Sequence, residues 1–128
     1  MHRPQFSKLA VIALVLAPLA AAAHHAVAMY DSADPVILAG TVKSFEMGNP
    51  HSWLTVTVPG QSGGATDWLV ECNPAGLLER AGWSRGSITT GDRITVTIAP
   101  HFDGIRRGEA IRVVTAEGAT LNNVMAQP

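Results

Sequence analysis

The chain has 128 residues, a net charge of −1 with His neutral, and one cysteine. That length suits one small domain. A single cysteine rules out an intrachain disulfide, and a near-neutral charge disfavours a nucleic-acid partner, which requires a basic face.

The first residues carry an export signal. His2, Arg3 and Lys8 form a basic start, Leu9 to Ala20 (LAVIALVLAPLA) an apolar stretch broken by Pro18, and Ala20 to Ala23 a run of small residues. This is the order of a secretory signal peptide, and the apolar run is too short for a comfortable membrane span. The expected product is periplasmic or secreted, with no retained membrane anchor. Removing the signal also removes Arg3 and Lys8, so seven basic residues face ten acids, a net charge of −3.

Small residues permit cleavage after Ala22, Ala23 or Ala28. A cut after Ala23 is favoured and makes His24 the new N-terminus, where the α-amine and imidazole can close a chelate around a metal ion. A cut after Ala22 allows a square-planar set of amine, two amides and the His25 imidazole. A cut after Ala28 removes both histidines.

An extended lead-in over residues 26–34 ends at the breakers Asp31 and Asp34-Pro35. Strands are expected over Val36–Phe45, Ser52–Val58, Asp67–Cys72, Arg93–Ala99 and Glu109–Ala116, with clear alternation in the second and fourth. Leu54, Val56 and Val58 fall on one face of the second strand, and Ile94, Val96 and Ile98 on one face of the fourth. Gly40 suggests a bend or bulge in the first strand. Asn73-Pro74 opens a short helix with Asn as side-chain cap, and Gly82 stops it. That helix is too short to be stable alone and must pack on the sheet.

Three strands, a helix and two strands make the element order of a mainly β, five-stranded OB-like barrel with the helix between strands 3 and 4. A small antiparallel sandwich is the alternative. The expected divisions are a signal over 1–23, an arm over 24–35, the barrel over 36–121 and a loose tail over 122–128.

Several chemistries are excluded. A blue-copper site needs a His soon after Cys72, and none follows before His101. A zinc finger lacks cysteines, a serine hydrolase lacks its GxSxG elbow, and the glycines of GQSGG lack a phosphate loop's Lys. Cys72 reads as a small buried apolar residue. Trp53, Trp68 and Trp83 read as barrel packing rather than as a stacking platform for bases or sugars, and Arg106-Arg107 as a solvated loop pair that could bind an anion.

What remains is a set of histidines. His24 and His25 lie on the arm, and His51 and His101 fall in the two loops that flank an OB binding face. Imidazole and amine nitrogens suit copper(II), nickel(II) and zinc, with copper highest in affinity. Glu71 is a further candidate if the barrel interior takes the Leu69 face. Burial would then raise its pKa, whereas on the solvent face it would be an ordinary surface carboxylate. The candidate metal residues are therefore His24, His25, His51, His101 and Glu71.

His24-His25, Gly40-Thr41-Val42, Asn49-Pro50-His51 followed by Trp53, Trp68 with Glu71, Gly82-Trp83 and Gly91-Asp92 together resemble a family of small exported bacterial proteins of unknown function. Its members carry an Ala-His-His start, Asn-Pro-His, and Gly-Trp after a short helix. The resemblance implies an exported OB-like domain and no particular reaction. This chain departs from the pattern at Ala26, where Ser is usual, and at Glu71-Cys72-Asn73-Pro74, where a Gly-rich or Ser-rich step often stands.

The leading expectation is a non-enzymatic periplasmic binding protein that holds copper through its N-terminal His arm. A metal-free module binding an unidentified periplasmic protein or small ligand is the alternative. A copper-dependent oxidoreductase is more distant.

Overall fold

The computed structural model describes residues 29–123. The signal, His24 and His25 lie outside them, as does the tail from residue 124. Six strands and one helix follow in order: β1 (Val36–Glu46), β2 (Ser52–Pro59), β3 (Ala65–Cys72), α1 (Ala75–Arg80), β4 (Arg93–Pro100), β5 (Arg107–Thr115) and β6 (Thr120–Asn122).

Strand alternation builds the barrel. Leu54, Val56, Val70, Val96, Ile98 and Val113 are fully buried, and their neighbours at odd spacing face outward. The sheet order is β3-β2-β1-β4-β5-β6, and a parallel β3–β5 pairing closes five strands into a barrel. Closure leaves the main strands without open edges. The expected mainly β barrel, with one short helix between strands 3 and 4, is the observed architecture; β6 adds a short sixth strand on β5.

β1 serves both halves of the barrel. Its residues 36–41 pair with β4 and its residues 41–46 with β2. The bulge expected at Gly40 lies instead between Val42 and Ser44, where the register with β2 shifts. Gly40 has a different reason. A Cβ there would stand 2.5 Å from the Thr57 backbone oxygen and 2.8 Å from Val56 Cγ1. Hydrogen in place of a side chain lets β1 cross close over β2.

α1 plugs the barrel with Ala75 and Leu78, and the buried Trp83 follows it into the same core. Backbone bonds from Gly82 to Glu79 and from Trp83 to Leu78 close the helix where Gly82 takes φ +93°. The N-terminus differs from expectation, because no side chain caps it. The Asn73 amide donates to the Asn123 carbonyl, and the Asn123 side chain accepts from the Asn73 backbone N–H at 2.8 Å. The same contacts correct the loose tail at its first two residues: Asn122 closes β6, and Asn123 is buried. The Trp83 indole also donates to the Asn122 carbonyl at 2.7 Å.

Gly40→Ala is expected to destabilise the barrel by about 1–3 kcal/mol through overpacking. Urea unfolding checks it: the midpoint falls while the m-value stays constant.

Candidate functional site

The site grows on the outer face of the barrel, around Glu71. The interior takes Val70 and Cys72, so Glu71 shares the outer face of β3 with Leu69. Glu71 is nevertheless only 8% exposed. It is covered by residues from three other parts of the chain.

The first cover is the segment before β1. Residues 29–31 run against residues 100–102, with Phe102 N–H donating to Met29 O at 3.0 Å and Asp31 N–H to Pro100 O at 2.8 Å. Tyr30 forms a bridge with His101 between these bonds. Its ring is buried and stands nearly perpendicular to the His101 ring with centroids 5.7 Å apart, and its hydroxyl donates to Glu71 Oε2 at 2.5 Å.

The second cover is β5. That strand begins two residues before its expected start, which places Arg107 in the strand directly opposite Leu69. Arg107 Nη2 donates to Glu71 Oε2 at 2.9 Å and Nε to the Tyr30 hydroxyl at 3.0 Å. Its guanidinium lies 4.9 Å from the centroid of the Trp53 ring, a cation–π distance. The expected roles of Arg107 and Trp53 are thereby corrected: Arg107 is bound rather than solvated, and Trp53 is a platform on the outer face. Trp68 and Trp83 do pack on the core.

The third cover is the loop between β1 and β2. His51 Nδ1 stands 2.7 Å from Glu71 Oε1. A carboxylate at that distance favours the tautomer with the proton on Nδ1, which leaves the lone pair on Nε2.

These contacts set the charge state of Glu71. Burial by itself raises its pKa. Hydrogen bonds from Tyr30 and Arg107, the facing His51 and the Arg107 charge outweigh burial and hold the carboxyl below its ordinary range. The raised pKa expected for a Glu71 on the interior face does not arise: the interior takes the other face of β3, and burial on the outer face comes with partners that lower the pKa. The Tyr30 hydroxyl moves the other way, pushed up to about 12 by burial, its bond to Glu71 and the Glu71 charge.

Glu109 lies beside Glu71 in the parallel β3–β5 register. Its carboxyl is raised by burial and by the Glu71 charge, against the lowering effect of His51. Cys72 faces the core as expected, with its thiol pushed up to about 12 by burial and the Glu71 and Glu109 charges.

Of the five sequence candidates, His51 and Glu71 are in direct contact. His101 joins them only through Tyr30. Its Nδ1 accepts from the Asp103 N–H at 3.2 Å, so the neutral ring carries its proton on Nε2, the reverse of His51. His24 and His25 lie outside the described residues. Among the described residues, no three His, Cys, Asp or Glu side chains converge to hold a metal ion. Tyr30, Trp53, Arg107 and Glu109 are the neighbours that sequence reasoning missed. The one available signal was period two: a fifth strand begun at Arg107 puts Arg107 and Glu109 on one face. An open groove of about 560 Å³ lies elsewhere, lined by residues such as Ala39, Thr41, Arg93 and Val114, and touches none of these groups.

Fold and site together define a small OB-like barrel with a buried carboxylate, histidine and tyrosine cluster on its outer face. The chain belongs to a family described as "Family of unknown function (DUF6152)", whose model matches residues 12–110. The matched span runs from the apolar start through His51, Glu71, His101, Arg107 and Glu109. No curated protein and no solved structure matches the chain.

The two carboxylates have opposite pH signatures. The lowered pKa of Glu71 makes its contribution to stability present above the ordinary carboxylate range and lost as pH falls through the lowered value. Glu71→Gln should therefore cost about 1.5–3 kcal/mol near neutrality, the worth of its charged hydrogen bonds, and progressively less as pH falls below the ordinary carboxylate range. The raised pKa of Glu109 has the reverse sign, with stability lost as pH rises through it. Glu109→Gln should stabilise the protein near neutrality and have little effect in acid. Urea melts of both variants across this range check the two signs.

Proposed function

We propose that this is an exported binding protein that holds copper(II) between its N-terminal arm and His51. The observation that carries the reading is the His51–Glu71 contact. A histidine whose Nδ1 faces a carboxylate and whose side chain is 38% exposed has the arrangement typical of a metal ligand. Both oxygens of Glu71 are engaged, so its role in this reading is to orient His51 rather than to bind the ion.

The arm supplies the remaining ligands. Cleavage after Ala23 gives His24 an amine and an imidazole on one residue. Tyr30 is six residue steps along the chain from His24, and an extended chain of that length spans about 20 Å. The Tyr30 hydroxyl is one carboxylate away from His51, so the histidines of the arm are within reach of its ring. Nitrogen donors of this kind favour copper(II) over nickel(II) and zinc.

Binding of a protein partner without metal is the second reading. Met29, Leu69, Phe102 and Ile105 are exposed apolar residues on the segments that frame the site, and such residues suit a protein contact.

Intact mass of the exported protein, followed by copper(II) titration, tests the first reading. The expected product starts at His24 and binds one ion, with affinity at least tenfold weaker in His51→Ala. A mature chain starting at Met29, or equal affinity in the variant, overturns it. Capture of one partner by metal-free protein favours the second.

A further inference from the structure

The open groove away from the Glu71 cluster lies on β1, β4 and β5, and strand register sets out its lining. Ala39, Thr95 and Val114 stand side by side across these strands, and Thr41 stands beside Arg93 in the next row. β1 passes from β4 to β2 at Thr41, which pairs with both Arg93 and Thr57. The groove lies at that crossing, where Pro59 of β2 also lines it. Its volume of about 560 Å³ falls within the range of small-molecule sites.

The charge of the groove is one-sided. Arg93 is the only charged residue of the lining. It is exposed and, among the described residues, meets no carboxylate within 4.0 Å. Acids in neighbouring positions are engaged elsewhere. Asp92 accepts from the Thr89 N–H at 2.8 Å, and Asp67, opposite Thr57 on β3, is held by Lys43 and Thr57. Arg112, opposite Thr97, adds a second positive charge further along the same outer face. This patch belongs to a chain whose net charge is −1. An unpaired guanidinium is a strong donor to a carboxylate. Thr41 and Thr95 add hydroxyl donors to the lining. What remains of the lining is aliphatic, with no aromatic ring, so it suits an aliphatic body rather than a stacked one.

We infer that this groove binds a small organic carboxylate with an aliphatic body, the carboxylate on Arg93 and Thr41 and the chain along Ala39 and Val114. The groove shares no residue with the Glu71 cluster, so the inference stands apart from the metal reading.

Octanoate, titrated into the metal-free mature chain and followed by amide chemical shifts, tests it. Binding should saturate at one per chain, with the shifts centred on Ala39, Thr41, Thr95 and Val114. Arg93→Gln changes an exposed side chain and leaves the core intact. It should weaken octanoate about tenfold or more, the loss of a charged hydrogen bond. Octanol, the same chain without the charge, should bind the native protein as weakly. Ala39→Phe, also at an exposed position, fills the groove and should abolish the shifts. Native affinity in Arg93→Gln, or octanol binding equal to octanoate, overturns the inference. So does competition by inorganic phosphate at equal concentration, which would reduce the groove to a bare anion site. His51→Ala should bind octanoate as the native chain does. A loss there would place the ligand at the Glu71 cluster and overturn the assignment to this groove.

Discussion

A carboxylate taken out of water must be met by donors, and Glu71 organises this protein's outer face around that requirement. An ionised group in such a place costs several kcal/mol unless paired. Here the partners come from segments far apart in sequence: Tyr30 before the first strand, His51 between β1 and β2, and Arg107 at the start of β5. Residues 29–31 dock, the β1–β2 loop turns inward and β5 begins where it does in company with this single charge. Removing Glu71 would leave Arg107 on Trp53 without its anion and Tyr30 without its acceptor.

The barrel supplies the geometry that makes this convergence possible. The parallel β3–β5 pairing brings Leu69, Val70 and Glu71 beside Arg107, Gly108 and Glu109. Close packing helps, since a Cβ on Gly108 would stand 2.6 Å from Ile98 Cδ1. On the inner side Val70 and Ala110 fill the core; on the outer side the charged partners meet. A shift of one residue in that register would exchange the two faces.

The interior was legible because period-two alternation reports directly on which side chains leave water. Leu54 and Val56, or Ile94, Val96 and Ile98, need no knowledge of their neighbours to be placed inside. The site was legible only in parts. His51 stood out by its loop and Glu71 by its strand, but their contact depends on a lone tyrosine in an irregular lead-in and on the first residue of β5. Neither carries a periodic signal. Asn73 shows the same limit in small: a side chain suited to capping a helix is taken by Asn123, fifty positions away. Local preference proposes a partner, and the folded chain assigns it.

Cys72 follows Glu71 directly, and the pleat sends its side chain to the other side of the sheet. The chain's one thiol therefore sits a single residue from the outer cluster yet is sealed in the core, protonated well above neutral pH. Thiolates are what oxidants attack and what soft metals seek. The wall of the barrel thus acts as insulation: one face of β3 presents charge and imidazole to the surroundings, while the other keeps sulfur out of their reach.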